Sequence, residues 1–299
     1  MGIYQGEWRT SMANIAGVEL MGVDDMAEDY GRWLIHGPQG SGKTTLASTI
    51  AKLGPTLFID LNGEKGVRSF RGAEYAESIT VIRPTSVTHL DDVFWALNAG
   101  DTKDSKGRPF KAVVIDSLTA LQKMTMRYLL KHDETAVREI KQGAAPADMR
   151  TWGQSLDVMV DTATFWYGLA DGNRPNPLHI VMTAQTKVID DEVAMTSTRT
   201  PDVQKGALSI VLAAPDYILY TEEEDNPDYM SDDSQPSTKH IVRFGGHPGY
   251  RTKARVPVDL RGKLPSVIGR GKTSPDLSSL SKVLGIGGAS AGTKTKPAS

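Results

Sequence analysis

The sequence predicts an α/β fold built around a mostly parallel central sheet, and two observations support this. From Arg32 onward, short apolar runs alternate with longer stretches of helical pattern, as they do in repeated βαβ units. The apolar runs are continuous instead of alternating with polar residues, which is typical of strands covered on both faces. In chain order the predicted strands are RWLIH, TLFIDL, ITVIRP, KAVVID and LHIVMTA.

Helices are predicted between these strands, and the pattern changes after the last strand. The predicted helices begin at Lys43, run near His89 to Asn98, begin at Leu118, and run near Met149 to Leu169. Gln185 closes the last strand, and a polar stretch from Thr186 to Gly206 follows it. Further on, HIVRFGG and YRTKARVPV flank HPG, a pattern that predicts a late antiparallel hairpin.

Composition divides the chain into three predicted parts. Residues 1–30 are weakly patterned and are interpreted as an N-terminal segment, a candidate oligomerisation arm, while residues 31–268 form the predicted core. Residues 269–299 are rich in Gly, Ser and Lys, and this composition predicts a flexible tail because it cannot bury enough apolar surface to fold alone. The apolar residues in this tail, predicted to form one or two helical turns on a partner, are Leu277, Leu280, Val283 and Leu284.

Charge is unevenly distributed, although the formal net charge is only −2. From Lys239 to the C-terminus, twelve Lys and Arg residues stand against two Asp and Glu residues. The stretch from Thr221 to Pro236 has seven acidic residues and no basic ones, and it is predicted to be a solvated loop. A split of this kind usually marks different surroundings for the two parts of a chain.

The composition also restricts the chemistry and the compartment. The chain contains no cysteine, which excludes disulfide bonds and thiolate metal sites. Its longest apolar runs, such as SIVLAAP, are far too short to cross a bilayer, and its first residues lack the basic-then-apolar pattern of a signal peptide. We therefore expect a cytoplasmic protein without a membrane partner.

The segment HGPQGSGKTT carries a phosphate-binding pattern. Gly37, Gly42, Lys43 and Thr44 match G-x-x-x-x-G-K-T between a predicted strand and a predicted helix, the context that a P-loop requires. Glycines let backbone N–H groups close around phosphate oxygens, and the helix N-terminus adds partial positive charge. Lys43 is predicted to reach the β- and γ-phosphates of ATP, and Thr44 to bind Mg²⁺. The predicted nucleotide-binding residues are Gly37, Pro38, Gln39, Gly40, Ser41, Gly42, Lys43, Thr44 and Thr45.

Three further residues complete the predicted ATP site. Asp116 ends the strand AVVID, where its carboxylate is predicted to hold the Mg²⁺ shell, with a helix N-cap as the alternative. Past the strand TLFID, Glu64 is preferred over Asp60 and Asn62 as the general base, and an ordinary surface carboxylate stays the alternative. Gln185 is predicted to contact the γ-phosphate, with a purely structural strand-end amide as the alternative.

The order of these parts resembles that of the RecA-type ATPases, which include RecA, KaiC and DnaB. The features that narrow the resemblance are, in order, Glu64, Asp116, Gln185, Lys253 and Arg255. The chain is most similar to the minimal, core-only RecA-like proteins of bacteriophages, which are counted among the single-strand annealing proteins. The resemblance covers roughly Gly31 to Lys263, and it implies a RecA-like P-loop NTPase core.

The resemblance gives the basic row RTKAR a role. Arg251, Lys253 and Arg255 occupy every second position, so they share one face of a strand. In DnaB- and KaiC-like rings a Lys-x-Arg pair on a late strand reaches the ATP site of the neighbouring subunit, and TKARV matches it. Lys253 and Arg255 are thereby implied as catalytic residues that act in trans. Two alternatives stay open: a strand that lies on DNA phosphates, and an edge strand kept charged against aggregation.

DNA-binding loops are also implied by the resemblance. The loop after the sensing glutamine, Thr186 to Gly206, would contact single-stranded DNA, although it carries Asp190 to Glu192 and no aromatic residue. A second loop, KQGAAPADMR, lies between two predicted helices. The implied DNA-binding residues are Lys187, Arg199, Lys205, Lys141 and Arg150.

Together with these features, the resemblance implies an ATP-dependent, single-stranded-DNA-binding protein that acts in phage recombination or annealing. ATP would be hydrolysed at the interfaces of a homo-oligomer, a ring or a filament assembled head to tail, because a finger acting in trans requires that geometry. The tail is predicted to add DNA contacts or to recruit a single-strand-binding protein. The alternatives are a P-loop kinase of a small molecule or nucleotide, a helicase- or loader-type motor, and a non-catalytic annealing scaffold.

Overall fold

The computed structural model describes residues 30–61, 66–132, 149–193, 195–230, 236–270 and 274–286, together with a short ladder of β1 (Asn14–Ile15) and β2 (Val18–Glu19). Ten further strands in these ranges form the central sheet. They are β3 (Arg32–Gly37), β4 (Thr56–Asp60), β5 (Ile79–Ile82), β6 (Ala112–Asp116), β7 (His179–Asp191), β8 (Thr196–Pro201), β9 (Tyr217–Asp225), β10 (Thr238–Arg243), β11 (Lys253–Ala254) and β12 (Val267–Ile268).

The sheet is mostly parallel, which confirms the predicted fold class. Its strand order is β12-β10-β9-β3-β7-β6-β4-β5. The six strands from β9 to β5 run parallel, whereas β10 and β12 are antiparallel additions at one edge. Two short additions lie off this path, since β8 pairs antiparallel with β7 and β11 pairs antiparallel with β9. The strand β7 therefore lies between β3, which precedes the P-loop, and β6, which ends at Asp116.

Six α-helices lie within the described ranges: α1 (Lys43–Ser48), α2 (Val87–Ala99), α3 (Leu118–His132), α4 (Met149–Gly168), α5 (Lys205–Ala213) and α6 (Leu277–Leu284). Short 3₁₀ turns occupy Thr49–Leu53, Gly66–Phe70, Ala76–Ser78, Pro227–Met230 and Val258–Leu260. The caps of α2 illustrate why the helices begin and end where they do. Ser86 Oγ accepts a hydrogen bond from the His89 N–H, and Gly100 ends the helix in the left-handed region with φ 83°. No helix in the described part of the chain is long and apolar enough to cross a bilayer.

Each face of the sheet is covered by its own hydrophobic core. Successive side chains of a strand point to opposite faces; Leu34 accordingly packs with Met159 of α4, while Ile35 packs with Ile50 and Leu277. All five side chains are buried. Because both faces are covered, the central parallel strands carry consecutive buried apolar residues, such as Trp33 to Ile35 and Ala112 to Ile115, as the continuous sequence runs indicated.

The helix α6 lies in the segment that the sequence assigned to a flexible tail. Leu277, Leu280 and Leu284 are buried in the same core as α1, while Val283 faces outward. Asp276 caps the helix by accepting hydrogen bonds from two backbone N–H groups, and it pairs with Lys52 at 2.5 Å. The prediction of a flexible tail is therefore wrong for residues 274–286. The apolar stripe packs on its own chain instead of a partner, because the turn Thr49–Leu53 after α1 supplies a matching surface.

Two segments after Gln185 differ from their predicted structure. The polar stretch from Thr186 to Gly206 is largely a β-hairpin, in which the second half of β7 pairs with β8 and Thr186 stands opposite Pro201. Near the end of the chain antiparallel pairing is present, but its partners differ from those expected. The strands β10 and β11 both pair with β9, at different positions along it, and among the described strands they do not pair with each other.

Ion pairs link the acidic strand β9 to the basic C-terminal region. Glu222 pairs with Arg243, and Glu224 pairs with Arg270 at 2.6 Å. The hydrogen bond from Arg270 lowers the pKa of Glu224. The prediction of a solvated acidic loop is therefore wrong for residues 221–225, which form part of β9. The uneven charge along the chain thus reflects, in part, pairing within one molecule.

Candidate active site

A cavity of about 200 Å³ lies at the carboxyl end of the parallel strands. It is formed by the P-loop after β3, the segment after β4, the end of β6 and the middle of β7. Ligands of open α/β sheets bind at this edge. The lining residues are Gln39, Gly40, Gly42, Lys43, Thr44, Thr45, Asp60, Gly66, Ser69, Asp116, Ser117 and Gln185.

The P-loop glycines are required by backbone conformation and by space. Gly40 and Gly42 adopt left-handed conformations with φ 82° and 85°, which side chains rarely tolerate. A Cβ atom at Gly37 would lie 2.3 Å from Thr221 Oγ1 and 2.6 Å from Ser41 Oγ. The hydroxyls of Ser41 and Thr221 are themselves 2.7 Å apart, so β9 supports the loop from outside the cavity. The contact between Ser41 and Thr221 therefore holds the loop in place at the edge of the cavity.

Lys43 lies inside this loop and is only 7% exposed. Its ammonium donates hydrogen bonds to the carbonyl oxygens of Gly37 (3.0 Å) and Pro38 (2.6 Å). A buried cation is stabilised only when such partners satisfy it. The charge lies inside the loop, where the predicted contact to the β- and γ-phosphates would require it.

Thr44 and Asp116 form the part of the cavity that fits a Mg²⁺ ion. Thr44 Oγ1 donates a hydrogen bond of 2.8 Å to Asp116 Oδ2, and Thr183 Oγ1 donates to the other carboxylate oxygen. Burial raises the pKa of Asp116; the two hydroxyl donors oppose this rise, and the nearby charge of Asp60 adds to it. The peptide bond from Asp116 to Ser117 is cis. Hydroxyl and carboxylate oxygens are the ligands Mg²⁺ prefers, so Thr44 and Asp116 would hold the ion between protein and phosphate.

Asp60 lies next to Asp116, in register on the adjacent strand, and is buried. Arg83 pairs with it at 2.8 Å. Glu64, the predicted general base, lies outside the described residues. Leu61 donates its N–H to the carbonyl oxygen of Asp116, and a Cβ at Gly66 would lie 3.3 Å from Thr44 Cγ2. Leu61 and Gly66, the described residues on either side of the segment that carries Glu64, therefore lie beside Asp116 and Thr44.

Gln185 lines the cavity, but it lies in the middle of β7 and not at the predicted strand end, because pairing with β8 continues the strand to Asp191. Its register partner on β3 is Gly37, the first glycine of the P-loop, and its side chain lines the cavity. Its N–H donates to Thr119 Oγ1 at 3.0 Å, and its carbonyl oxygen accepts from the Asp202 N–H at 2.7 Å. Thr183, which orients Asp116, lies on the same face of β7, two residues earlier. The two-residue period of the strand was a signal that could have identified Thr183 from the sequence.

A buried histidine was missed by the sequence-based reasoning. His36 precedes the P-loop; its Nδ1 lies 2.8 Å from Thr186 Oγ1 and its Nε2 lies 2.9 Å from the carbonyl oxygen of Arg251. Burial lowers its pKa to about 4, so the ring is neutral at pH 7. Because a carbonyl only accepts, Nε2 donates and Nδ1 accepts from the threonine hydroxyl. His36 therefore links the P-loop strand to the residue after Gln185 and to the basic row.

The predicted finger residues do not lie at the cavity of their own chain. The Lys253 ammonium donates to the carbonyl oxygens of Leu212 (3.2 Å), Ala213 (2.8 Å) and Pro215 (2.6 Å), at the C-terminal end of α5. Burial lowers its pKa. Arg255 pairs with Asp216 at 2.8 Å, and its side chain remains 57% exposed. A catalytic role in trans therefore requires a second copy of the chain. The exposed side chain of Arg255 fits this role better than the half-buried side chain of Lys253.

Three of the predicted DNA-binding residues lie on or beside the β7–β8 hairpin. Lys187 donates to the carbonyl oxygen of Val203 and lies 3.7 Å from Asp202. Arg199 stacks over the ring of Tyr250 at 5.0 Å, so an aromatic residue from another segment accompanies the hairpin. Lys205 is exposed at the start of α5. Of the other two, Arg150 is exposed at the start of α4, and Lys141 lies outside the described residues.

This fold and this site define a P-loop nucleotide-binding ATPase. A mostly parallel sheet carries a glycine cradle, a buried lysine and a threonine–aspartate pair at its carboxyl edge. The sequence matches the AAA domain family over residues 30–256, and the chain belongs to that family. A search of curated proteins found none that matches the chain.

Proposed function

We propose that this ATPase is a RecA-like protein that binds single-stranded DNA and acts in phage DNA recombination or annealing. The observation that supports it best is the continuity of β7, which runs from His179 to Asp191 without a break. Its first half carries Gln185 at the nucleotide cavity, and its second half forms one strand of the projecting hairpin. A ligand on the hairpin and a γ-phosphate in the cavity would therefore act on the same strand.

The contacts around Thr186 strengthen this connection. Thr186 is the first residue after Gln185, and its hydroxyl bonds to His36 beside the P-loop. Past it, Lys187 and Arg199 place cationic side chains on the hairpin. Movement of the Gln185 amide toward a γ-phosphate would shift these residues, because residues of one paired strand move together. Nucleotide state would in this way set the position of the DNA-binding hairpin.

Hydrolysis in this proposal takes place at the interface between two copies of the chain. Lys43 holds the phosphates, Thr44 and Asp116 hold Mg²⁺, and Glu64 orients the attacking water. Arg255 of a neighbouring copy then stabilises the charge that develops on the γ-phosphoryl oxygens. The exposure of Arg255 supports this assignment, since its guanidinium keeps donors available beyond the bond to Asp216. Head-to-tail association into a ring or a filament supplies the required geometry.

Phosphate release measured with and without single-stranded oligonucleotides tests this function. We expect the oligonucleotides to stimulate turnover, Lys43→Ala to abolish it, and Gln185→Ala to retain ATP binding but lose the stimulation. Quantifying ADP and free phosphate together separates the kinase alternative, since a kinase that transfers phosphate to another acceptor forms ADP without equal free phosphate. The proposal would be refuted if DNA did not change the rate of phosphate release and the protein did not bind DNA.

A further inference from the structure

We propose that a second, basic cleft beside the nucleotide cavity binds the phosphate backbone of single-stranded DNA, an inference that rests on the proposed function. The cleft has a volume of about 840 Å³ and lies between α3 and the turn that joins β5 to α2. One wall carries Lys123, Arg127 and Lys131, and the opposite wall carries the hydroxyl residues Thr85, Ser86 and Thr88. None of the sequence-predicted DNA-binding residues lies in it.

The cations form a regular row along α3. Lys123, Arg127 and Lys131 are four residues apart and exposed, so they follow one face of the helix at steps of about 6 Å. This step is on the order of the separation between successive phosphates of an extended strand. Among the described residues, none of the three forms an ion pair with a carboxylate. Like charges at this spacing destabilise a helix unless an anion faces them.

The position of the row argues against a purely helix-stabilising role. A cation in the last turn interacts favourably with the helix dipole, which accounts for Lys131. Lys123 stands in the first half of α3, where the dipole gives no such benefit. A row about 12 Å long also exceeds what a single phosphate group needs, which favours a polymer of phosphates over a small anion.

An aromatic side chain completes the site. Tyr128 lines the cleft, and its ring lies 4.5 Å from that of His132. Single-stranded nucleic acids are bound by such a combination of basic groups that follow the backbone and rings that stack on bases. The hydroxyls of the facing wall add neutral donors for phosphate oxygens. These features favour a nucleic acid strand over an acidic peptide, which has no base to stack.

The cleft shares a wall with the nucleotide cavity. Leu61 and Ala120 line the cleft, while Asp60 and Ser117 line the nucleotide cavity. The helix α3 begins directly after Asp116 and Ser117, and Leu61 donates its N–H to the carbonyl oxygen of Asp116. A strand bound along α3 would therefore contact the same helix and the same strand end that position the metal-binding carboxylate. DNA bound in the cleft would thus influence the ATP site through α3, independently of the hairpin.

Fluorescence anisotropy with a labelled oligothymidine, in the presence of a non-hydrolysable ATP analogue and at several salt concentrations, tests the cleft. We expect Lys123→Gln/Arg127→Gln to weaken binding at least tenfold. The slope of log affinity against log salt should also fall by about 1.4, since each lost contact to a single strand removes about 0.7. The control Lys103→Gln/Lys111→Gln removes the same charge at exposed positions that precede β6, at the opposite end of that strand from α3, and it should retain wild-type affinity and slope.

A second pair of variants tests the aromatic contact. Tyr128→Ala should weaken oligothymidine binding about tenfold, whereas Tyr128→Phe should keep most of it, because the ring and not the hydroxyl stacks on a base. If the double glutamine variant kept the wild-type affinity and salt slope, the cleft would not be a DNA-binding site, and the proposed function would be unaffected. If polyglutamate displaced the labelled oligothymidine as effectively as unlabelled DNA, the assignment of the cleft to a nucleic acid would be refuted. Absence of DNA binding by the wild type would refute the proposed function itself.

Discussion

The hydroxyl of Thr44 donates a hydrogen bond of 2.8 Å to Asp116, a residue 72 positions further along the chain. Thr183 donates to the second carboxylate oxygen, so the start of α1, the interior of β7 and the end of β6 meet at one buried acid. The arrangement orients both oxygens of the carboxylate before any nucleotide enters. It also explains why the chemistry of the P-loop depends on residues that lie far from it in sequence.

Asp116→Asn should reduce Mg²⁺-dependent ATP turnover by at least about 100-fold, because it removes the charge that holds the metal shell. Thr183→Val is the matched variant, since it keeps the carboxylate and removes only one orienting hydrogen bond; we expect a loss of about tenfold. Phosphate release measured across a Mg²⁺ titration distinguishes the two. An unchanged Mg²⁺ dependence in Asp116→Asn would show that the acid does not serve the metal.

Two buried imidazoles should make the stability of the chain depend on pH. Burial lowers the pKa of both His36 and His179 from 6.5 to about 4. Between these values the unfolded chain binds protons that the folded chain does not, so the free energy of unfolding falls as the pH drops from 6.5 to 4. A pKa difference of one unit is worth about 1.4 kcal/mol per group, so the two groups together give on the order of 7 kcal/mol over this interval.

Urea unfolding at a series of pH values measures this effect. The variant His36→Gln/His179→Gln keeps groups that can donate and accept hydrogen bonds but cannot titrate, so its stability should vary less over the same interval. The same pH slope in the variant and the wild type would assign the acid sensitivity to other groups.

Lys253 and Arg255 should differ in what their removal does. Lys253 satisfies three carbonyl oxygens at the end of α5, so Lys253→Ala should lower the free energy of unfolding by about 1 kcal/mol. Arg255→Ala should change it by less than about 0.5 kcal/mol, because Asp216 keeps its ion pair with Arg32. Lys253→Met, which retains the aliphatic stem, should behave like the alanine variant in urea unfolding. Full stability with lost turnover in Lys253→Ala would mean that the lysine acts chemically and not as a cap.

Mixing two inactive variants tests the action of Arg255 in trans. Lys43→Ala has a defective P-loop but an intact Arg255, and Arg255→Ala has the opposite defect. In a head-to-tail assembly, random mixing at equal amounts restores up to about a quarter of the interfaces. Phosphate release by the mixture should therefore exceed that of either variant alone. A mixture no more active than its components would remove Arg255 from the catalytic site of a neighbour.

Much of the core and of the nucleotide site could be predicted because their signals are local. The P-loop needs glycines, a lysine and a threonine at fixed spacing between a strand and a helix, and all of these stand within a few residues of one another. Asp116 and Gln185 were recognised because parallel strands place their carboxyl ends at one edge of the sheet. Asp116 does end its strand, whereas Gln185 reaches the cavity from the middle of β7, which the rule does not predict.

The remaining features depended on contacts between distant parts of the chain. The tail helix α6 is ordered because its leucines match a surface beside α1. Lys253 caps the C-terminal end of α5 because β11 pairs with β9, the strand that follows α5 in the chain. No local pattern specifies either outcome, since each depends on which strands pair and which face is left to be covered.

The sequence by itself determined that this chain binds nucleotide on a parallel α/β sheet, because a P-loop and continuous apolar strands depend on the chemistry of neighbouring residues. Only the tertiary structure decided how the charges are used. It paired the acidic strand β9 with the basic C-terminal region, buried His36 between two segments, and left the row on α3 facing an open cleft. Electrostatic interactions act through space, so the charges near a given side chain can be known only when the fold has brought distant segments together.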